Sequence, residues 1–383
     1  MLFESYRFDI KSHQTVLNAI RVCPDLSGAE IARQVGLQSS TLVYILRSLR
    51  KRGFIQKSRG APRKIAAGKP PTLWRLNPDR GYVIGIEVIP DELRTTVVDF
   101  SGRIVHQSIT TPAPTVSGAE LTHSLVGCIN ATLSGVHLQQ DKLIGIGIAL
   151  TGLVDRKRGR IRYSRKLHIQ NYPLVSALSE RMSFPVEIIN DANAGVLGLK
   201  WHAQDVMQKH RHVVFLSLNE KTGTMGAGLV LNNRIFEGAY GTAGELTASV
   251  PSLQILFQKA QQRYGKSAIP GNAYPVSMDD IIQYESDCAV CQAVLRQYTR
   301  FLAAEIVRFI LLINPGLIVI GGDLSKAEPL IAERLLQRVQ HRISSNFPAG
   351  IALPPIQFAT GGVHSVSLGA TSLMFRRIFS QDG

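Results

Sequence analysis

One pattern occurs twice in this chain: three short strand-like runs, a helical stretch, then a strand apolar enough to be buried on both faces. In the first copy the strands read YVIGIEV (82–88), LRTTVVDF (93–100) and GRIVHQSIT (102–110). A helix around LTHSLVGCINATL and the strand LIGIGIAL (143–150) complete it, and VEIIN (186–190) adds a strand that runs into a helix from Asp191. In the second copy VVFLSLN, GAGLVLN and RIFEG are the strands, helices follow, and LLINPGLIVIGG reads as a helix end, a turn, a buried strand and a glycine pair. Strands that recur with helices between them are covered by those helices, and two such lobes leave a cleft where they meet. The body is therefore expected to be α/β and two-lobed.

The residues before this body have a different character. HQTVLNAIRVC predicts an amphipathic helix with Val16, Leu17, Ile20 and Cys23 on one face, broken by Pro24 and Asp25. SGAEIARQVG predicts a second helix, with Ser27 and Glu30 at capping-box spacing and Gly36 at the turn. SSTLVYILRSLRKRG predicts a third, with Leu42, Ile45, Leu46 and Leu49 packing inward. Ser40, Tyr44, Arg47 and Lys51 then form a separate outward stripe. A recognition helix needs such a face. Ser39, Ser40 and Thr41 offer hydroxyls and backbone N–H groups at its start, Tyr44 and Arg47 can reach base edges, and Lys51 and Arg52 suit phosphates. FIQK and TLWRL read as two short strands flanking a basic, Gly/Pro-rich tip with Lys57, Arg59, Arg63, Lys64 and Lys69. That is the layout of a β-wing, with an interdomain linker as the alternative.

Charge separates the two parts. The chain has 383 residues and a net charge of +15, yet residues 1–75 hold fourteen Lys/Arg against four Asp/Glu, a net +10, and no acidic residue lies between Glu30 and Asp79. A basic block on a nearly balanced body is the footprint of a polyanion-binding module, and its periodic apolar residues argue against a disordered tail. No stretch of ~20 uncharged apolar residues suggests a membrane span. The start, MLFESYRFDIKSHQ, lacks a signal-peptide core. Four cysteines are too few for a disulfide scaffold, so a cytoplasmic location is expected. Cys288 and Cys291 form a C-x-x-C inside a helical stretch with no second ligand pair nearby; they read as buried helix thiols, with metal or redox use as the alternative.

Three segments carry a resemblance: NDANAGVLGLKWH (190–202), TGTMGAGLVLNNRIFEGAYGTAGEL (222–246) and INPGLIVIGGDL (313–324). On these the chain resembles the ROK family of repressors and sugar kinases, on its regulator branch. The resemblance implies a winged helix-turn-helix at 1–78 before a two-lobed actin-like (ribonuclease H-like) body. The first lobe would span 79–190, with a C-terminal helix at 363–380 returning to it, and the second 191–362. It implies a repressor of sugar metabolism that binds a double-stranded DNA operator as a homodimer or dimer of dimers, with a sugar or phosphosugar effector between the lobes.

Position by position, the resemblance puts Asp191 where family kinases have their general base and Glu245 where they hold a sugar hydroxyl, beside Asn190. A helix N-cap is the simpler reading of Asn190 and Asp191. Ala248 stands where the family carries a His, the cysteines of its zinc loop are missing, and Lys166, next to Arg165, stands in place of a sugar-site Asn. No metal and no cofactor are expected. Lys166 and Arg165 favour an anionic ligand unless they belong to a solvated loop. In the first hairpin, GIEVIPDELRTTVVD, Glu87 stands near the kinase Asp. Ile89 and Pro90 replace the phosphate-holding glycines and Thr, and Asp91 and Glu92 would repel a phosphate. Gly223, Gly226 and Gly228 match a second phosphate loop, and Gly321 and Gly322 the adenosine side, all of them also explicable as turn glycines. A regulator is thus expected rather than an enzyme. The rivals are an ATP-dependent sugar kinase with an appended regulatory domain, catalysed by Asp191, and a body that senses a protein partner.

Overall fold

A computed structural model describes residues 6, 11–58, 71–112, 117–203, 207, 209–219, 223–246, 251–265, 276–347 and 350–379. The N-terminal head is α1 (Lys11–Val22), β1 (Leu26–Ser27), α2 (Gly28–Val35), α3 (Ser39–Lys51), β2 (Ile55–Lys57) and β3 (Leu73–Leu76). Its chain geometry follows the local chemistry. The Ser27 hydroxyl accepts from the Glu30 N–H at 3.3 Å, and Glu30 Oε2 accepts from the Ser27 N–H at 2.7 Å. Gly36 closes α2 at φ 67°, a left-handed conformation that a side chain disfavours. Leu42, Ile45, Leu46 and Leu49 are buried, as expected, but Cys23 is only partly so. The strands form a sheet of order β1-β3-β2, so the two expected wing strands gain a third, two-residue partner between the first helices. Arg75 grips Asp25 through two 3.0 Å hydrogen bonds, which ties β3 to the turn after α1.

The first lobe follows with β4 (Tyr82–Ile89), β5 (Glu92–Asp99), β6 (Ile104–Thr110), α4 (Gly118–Gly135) and β7 (Leu143–Leu150). Next come β8 (Leu153–Asp155), β9 (Arg160–Ser164), β10 (Ile169–Tyr172), α5 (Leu174–Ser179), β11 (Val186–Asn190) and α6 (Asp191–His202). The second lobe comprises β12 (Val213–Asn219), β13 (Thr224–Leu231), β14 (Arg234–Ile235), α7 (Leu253–Tyr264), α8 (Met278–Gln283), α9 (Ala289–Ile313), β15 (Leu317–Gly322), α10 (Glu328–Asn346) and β16 (Ile356–Phe358), and the chain then enters α11 (Ser365–Phe379), which packs on the first lobe's sheet.

The two main sheets have the same topology. One runs β11-β7-β4-β5-β6 and the other β16-β15-β12-β13-β14, with two antiparallel and two parallel pairings in corresponding places. β7 is buried along its whole length, as its unbroken apolar run requires. Three details depart from the sequence expectations. RIFEG pairs only through Arg234 and Ile235. A third sheet, β10-β9-β8, occupies the region read as a basic loop. The segment PSLQILFQK, which stands where the resemblance implies a zinc loop, enters α7. In β9 the exposed Arg162 and Tyr163 break the apolar alternation that marks a strand.

Helices α6 and α11 pack between the two sheets. α11 lies against β4, β5 and β7, and α6 lies against β12 and β13, so each serves one lobe while touching the other helix. Their crossing is unusually close. A Cβ at Gly369 would lie 2.0 Å from the Ala194 carbonyl oxygen, and one at Gly198 would lie 2.8 Å from the Gly369 Cα. The head joins the same core, where Tyr6 and Phe54 pack on Phe100, and Phe100 on Phe379. Gly369→Ala should therefore destabilise the protein by about 1–3 kcal/mol, because the helices must separate to admit the methyl. Urea unfolding would show it as a lower midpoint with an unchanged slope.

Candidate functional site

Two places collect the expected functional residues. The first is the outer face of α3. Ser39, Ser40 and Thr41 are exposed in its first turn, and Tyr44 (66% exposed), Val43, Arg47, Arg50 and Lys51 continue the exposed surface. The N-cap residue Gln38 makes no side-chain cap hydrogen bond at the start of α3, so among the described residues its first N–H groups remain available to an outside acceptor. Arg52 is exposed but stacks on the Phe54 ring at 4.9 Å, and Tyr44 meets His13 edge-to-face. Lys57 is exposed at the end of β2. Arg59, Arg63, Lys64 and Lys69 lie outside the described residues, as does Ala248.

The head meets the body through its other side. The Arg21 guanidinium sits 4.2 Å over the Trp201 ring and donates to the Trp201 carbonyl at 3.3 Å. Burial lowers Arg21 to about 10, which leaves it cationic at neutral pH. Gln14 donates to the Ile378 carbonyl at 3.4 Å, and the Tyr6 hydroxyl donates to the Arg80 carbonyl at 2.8 Å. α1 is thus the fixed side of the head and α3 the open one.

The second place is a cleft of about 440 Å³ between the lobes. Its walls are the β4–β5 hairpin, Thr151–Leu153, the β9–β10 turn, the N-terminus of α6, the end of β12, the start of β13 and Glu245–Leu246. Asp191 and Glu245 face it together with Glu87, Arg94, Arg165 and Lys166. Glu245 is presented by the backbone. Gly244 has φ 84°, and a Cβ there would lie 1.7 Å from the Ala227 carbonyl oxygen, so only glycine lets this loop dock on β13. Asn190 does not line the cleft. It is the N-cap of α6, accepting from the Asn193 N–H, and it donates to Glu245 Oε1 at 3.0 Å and to the Gly152 carbonyl at 3.1 Å. Asp191 is the first helical residue, and its Oδ1 accepts from the Ala192 N–H at 2.8 Å. Cap and cleft residue are therefore neighbours rather than alternatives.

Arg94 is the residue that sequence reasoning missed. It projects from β5, is buried, and ion-pairs with Glu92, with Asp323 just past β15, and with Glu87 at 3.9 Å. It also donates to the Val363 carbonyl at 3.2 Å. One guanidinium thus joins the first-lobe hairpin to the second-lobe strand end and to the segment entering α11. Glu92, read from sequence as a charge facing outward at a phosphate, is instead neutralised by Arg94. The available signal was a charged residue at a position the strand pattern buries, which demands a buried partner.

Burial dominates the cleft acids. Glu87 is pushed up to about 8, with Arg94 opposing and Asp323, Asp191 and Glu92 reinforcing the rise. Asp191 is pushed up to about 7 by burial and then by the charge of Glu245, which burial also raises. Cys288 and Cys291 are both buried; Cys288 Sγ caps α9 by accepting from the Cys291 N–H, and burial pushes the Cys291 thiol up, away from reactivity.

The sequence profile of the ROK family matches residues 83–249 and 247–377, and a profile described as winged helix-turn-helix DNA-binding matches 11–56. The chain is 25% identical over 343 residues to the xylose repressor of Caldicellulosiruptor bescii, covering 83% of this chain and 84% of that protein. It is 24% identical over 378 residues to the N-acetylglucosamine repressor of Escherichia coli O157:H7, covering 93% and 90%. Among solved structures, a ROK family transcriptional regulator described as a homolog of the Escherichia coli MLC protein superposes with a TM-score of 0.72 at 19% identity, covering 96% of each chain. A ROK family glucokinase from Streptomyces griseus, solved with glucose and AMPPNP, superposes with a TM-score of 0.60 at 22% identity, over 76% of this chain and 99% of the kinase.

Two outcomes follow for the cleft. Arg94→Met should cost about 3–5 kcal/mol, because it strands the buried Glu92 and Asp323 without a counter-charge; urea unfolding would measure it. The raised acids also set a pH trend. Glu87 and Asp191 hold their protons more tightly folded, near 8 and 7, than unfolded, near 4.5 and 3.8. Their contribution is therefore complete below about 4 and is lost as pH climbs to 8. In thermal unfolding, Glu87→Gln should flatten the fall in Tm across that window.

Proposed function

This chain belongs to the ROK family, and on that premise we propose that it is a DNA-binding repressor of sugar metabolism whose effector binds between the lobes. The observation that carries this is the outer face of α3: Ser40, Tyr44, Arg47 and Lys51 stand exposed while α1, on the opposite side, anchors the head. A helix with this face enters a major groove, with its first turn on phosphates or base edges and Arg47 within reach of guanine. Two heads in a homodimer would read half-sites ~34 Å apart or a multiple of it. The relatives named above, a xylose repressor and an N-acetylglucosamine repressor, support the sugar class.

The body contributes the sensing. Asp191 and Glu245 offer acceptors for sugar hydroxyls, with Asn190 holding Glu245 in place. α6 then links the two functions: it begins at Asp191 in the cleft and ends beside Trp201, which Arg21 of the head covers. Its twelve residues span ~18 Å, a rigid distance over which a lobe movement reaches the head.

We read the body as non-catalytic. The hairpin and the glycine strand end, which resemble nucleotide-binding elements of the kinases, are clasped together by Arg94. Asp191 at the cleft wall favours the rival kinase reading. A coupled assay with ATP and hexoses separates them: no sugar-dependent turnover is expected, and turnover abolished by Asp191→Asn would establish the kinase instead.

Fluorescence anisotropy on upstream DNA tests the repressor assignment. The logarithm of affinity should fall with log salt by ~0.9 per phosphate contacted. Arg47→Ala should cost ~1–3 kcal/mol and relax base preference, whereas Lys51→Ala should weaken all sequences alike and lower the salt slope by ~1. A flat salt response counts against the assignment. Trp201→Ala should retain both DNA and effector binding while removing most of the coupling between them, ordinarily 1–3 kcal/mol in such systems.

A further inference from the structure

We infer that the groove between α9 and α10 is a separate binding site for a compact oligophosphate, gripped by Arg296, Arg334, Arg338 and Arg342. None of its lining residues lines the cleft, so the inference stands apart from the effector assignment.

Helices α9 and α10 pack side by side on the face of the second-lobe sheet opposite α6. Val214, Leu216 and Ile318 join their core, whereas Val213, Phe215 and Val319 point into the core of α6. Leu335, Val339 and Ile343 bury the inner face of α10. The same four-residue spacing sets Arg334, Arg338 and Arg342 in a second row, all exposed, and Arg296 of α9 is exposed beside it. With Gln337 and His341 these residues line a cavity of about 490 Å³.

The lining holds four guanidiniums, an imidazole and an amide, and no carboxylate. Glu285 stands at the margin and reaches Arg334 at 4.0 Å. Among the described residues no carboxylate pairs with Arg296, Arg338 or Arg342. Like charges four residues apart on a helix repel, so a row of three costs the empty protein stability that an anion would restore. The body as a whole is nearly balanced in charge, so this concentration is not a by-product of a basic surface.

The chemistry of the cations selects the ligand. Guanidinium is a planar fork that binds phosphoryl oxygens in pairs, and every cation in the row is an arginine rather than a lysine. The site is a concavity between two helices, of a size that holds a small molecule, whereas a duplex offers a broad convex surface. Four guanidiniums, one of them partly offset by Glu285, match an anion of about three or four charges, which a short run of phosphoryl groups carries. Such a ligand clamps α10 to α9. Since α10 begins at Glu328, shortly after the Asp323 that Arg94 grips, the clamp steadies the second-lobe side of that cluster.

The test is calorimetric titration of the full-length protein with tripolyphosphate, pyrophosphate, ATP and sulfate, at about 0.15 M salt to screen loose surface charge. Tripolyphosphate should bind once per chain and ~10-fold or more tightly than sulfate, because each added phosphoryl group engages another guanidinium. ATP equal to tripolyphosphate assigns the site to the phosphate chain alone, and tighter ATP adds a part for the nucleoside; both support the site. R338A/R342A should weaken tripolyphosphate ~10-fold or more, while Lys51→Ala in the basic head should leave it within about twofold. Without ligand the double variant should keep or raise the Tm, since it removes like-charged neighbours and leaves the buried face intact. Tripolyphosphate should then raise the Tm of the native protein and not that of the variant. Tripolyphosphate that binds no better than sulfate, or equally well to the double variant, overturns the site. A double variant that lowers the salt slope of DNA binding and leaves tripolyphosphate binding unchanged overturns it too, and makes the row a DNA contact.

Discussion

Arg94 occupies the centre of the body because of what surrounds it. Its side chain leaves β5, where the strand pattern calls for burial, and a buried guanidinium is tolerated only with counter-charge and hydrogen bonds around it. Glu92 supplies both from the same hairpin, Asp323 supplies another pair from just past β15, the Val363 carbonyl accepts from a further N–H, and Glu87 lies 3.9 Å away. Since Asp323 comes from the second lobe, the cluster ties together two lobes that share one topology. Such a cluster adds less to stability than an apolar core of equal volume would. Its contribution is geometric: the lobes close in one register, and the elements that resemble a nucleotide site are tied to each other.

Beside this cluster the α6–α11 crossing carries position from the cleft to the head. Gly198 and Gly369 allow the helix backbones to touch, and close-packed backbones transmit displacement better than flexible side chains do. At the far end α6 presents Trp201 to Arg21 of α1, and α11 presents Phe379 to Phe100 and so to Tyr6 and Phe54. The head is therefore joined to the two helices that also line or back the cleft. A basic reading surface and a polar cavity are thereby connected through one apolar core.

Much of this was legible in the residues. Ser27 and Glu30 announced the start of α2, Gly36 its end, and the four buried leucines and isoleucines of α3 defined its outer face by elimination. The five main-sheet strands of the first lobe and four of the second were legible for the same reason, strong apolar periodicity, whereas the three-residue β16 was too short to show it. The β9–β10 turn was not, because its strands expose Arg162 and Tyr163 and have almost no apolar face of their own. Asn190 also escaped a clear assignment, since capping a helix and supporting a ligand call for the same side chain. Arg94 stood unmarked in LRTTVVD because one of the carboxylates that make its burial tolerable, Asp323, lies 229 residues away in sequence.

Local chemistry, then, determined the helices, the caps, the strands and the basic stripe, because each depends on residues within a few positions of one another. It also determined that the chain has two like lobes, since the pattern repeats. Tertiary structure decided what those elements bring together. Arg94 meets Asp323 across 229 residues of sequence, Arg21 meets Trp201 across 180, and Lys166 enters the same cavity as Glu245. Contacts of that range are set by how sheets and helices pack, and side-chain periodicity carries no record of them.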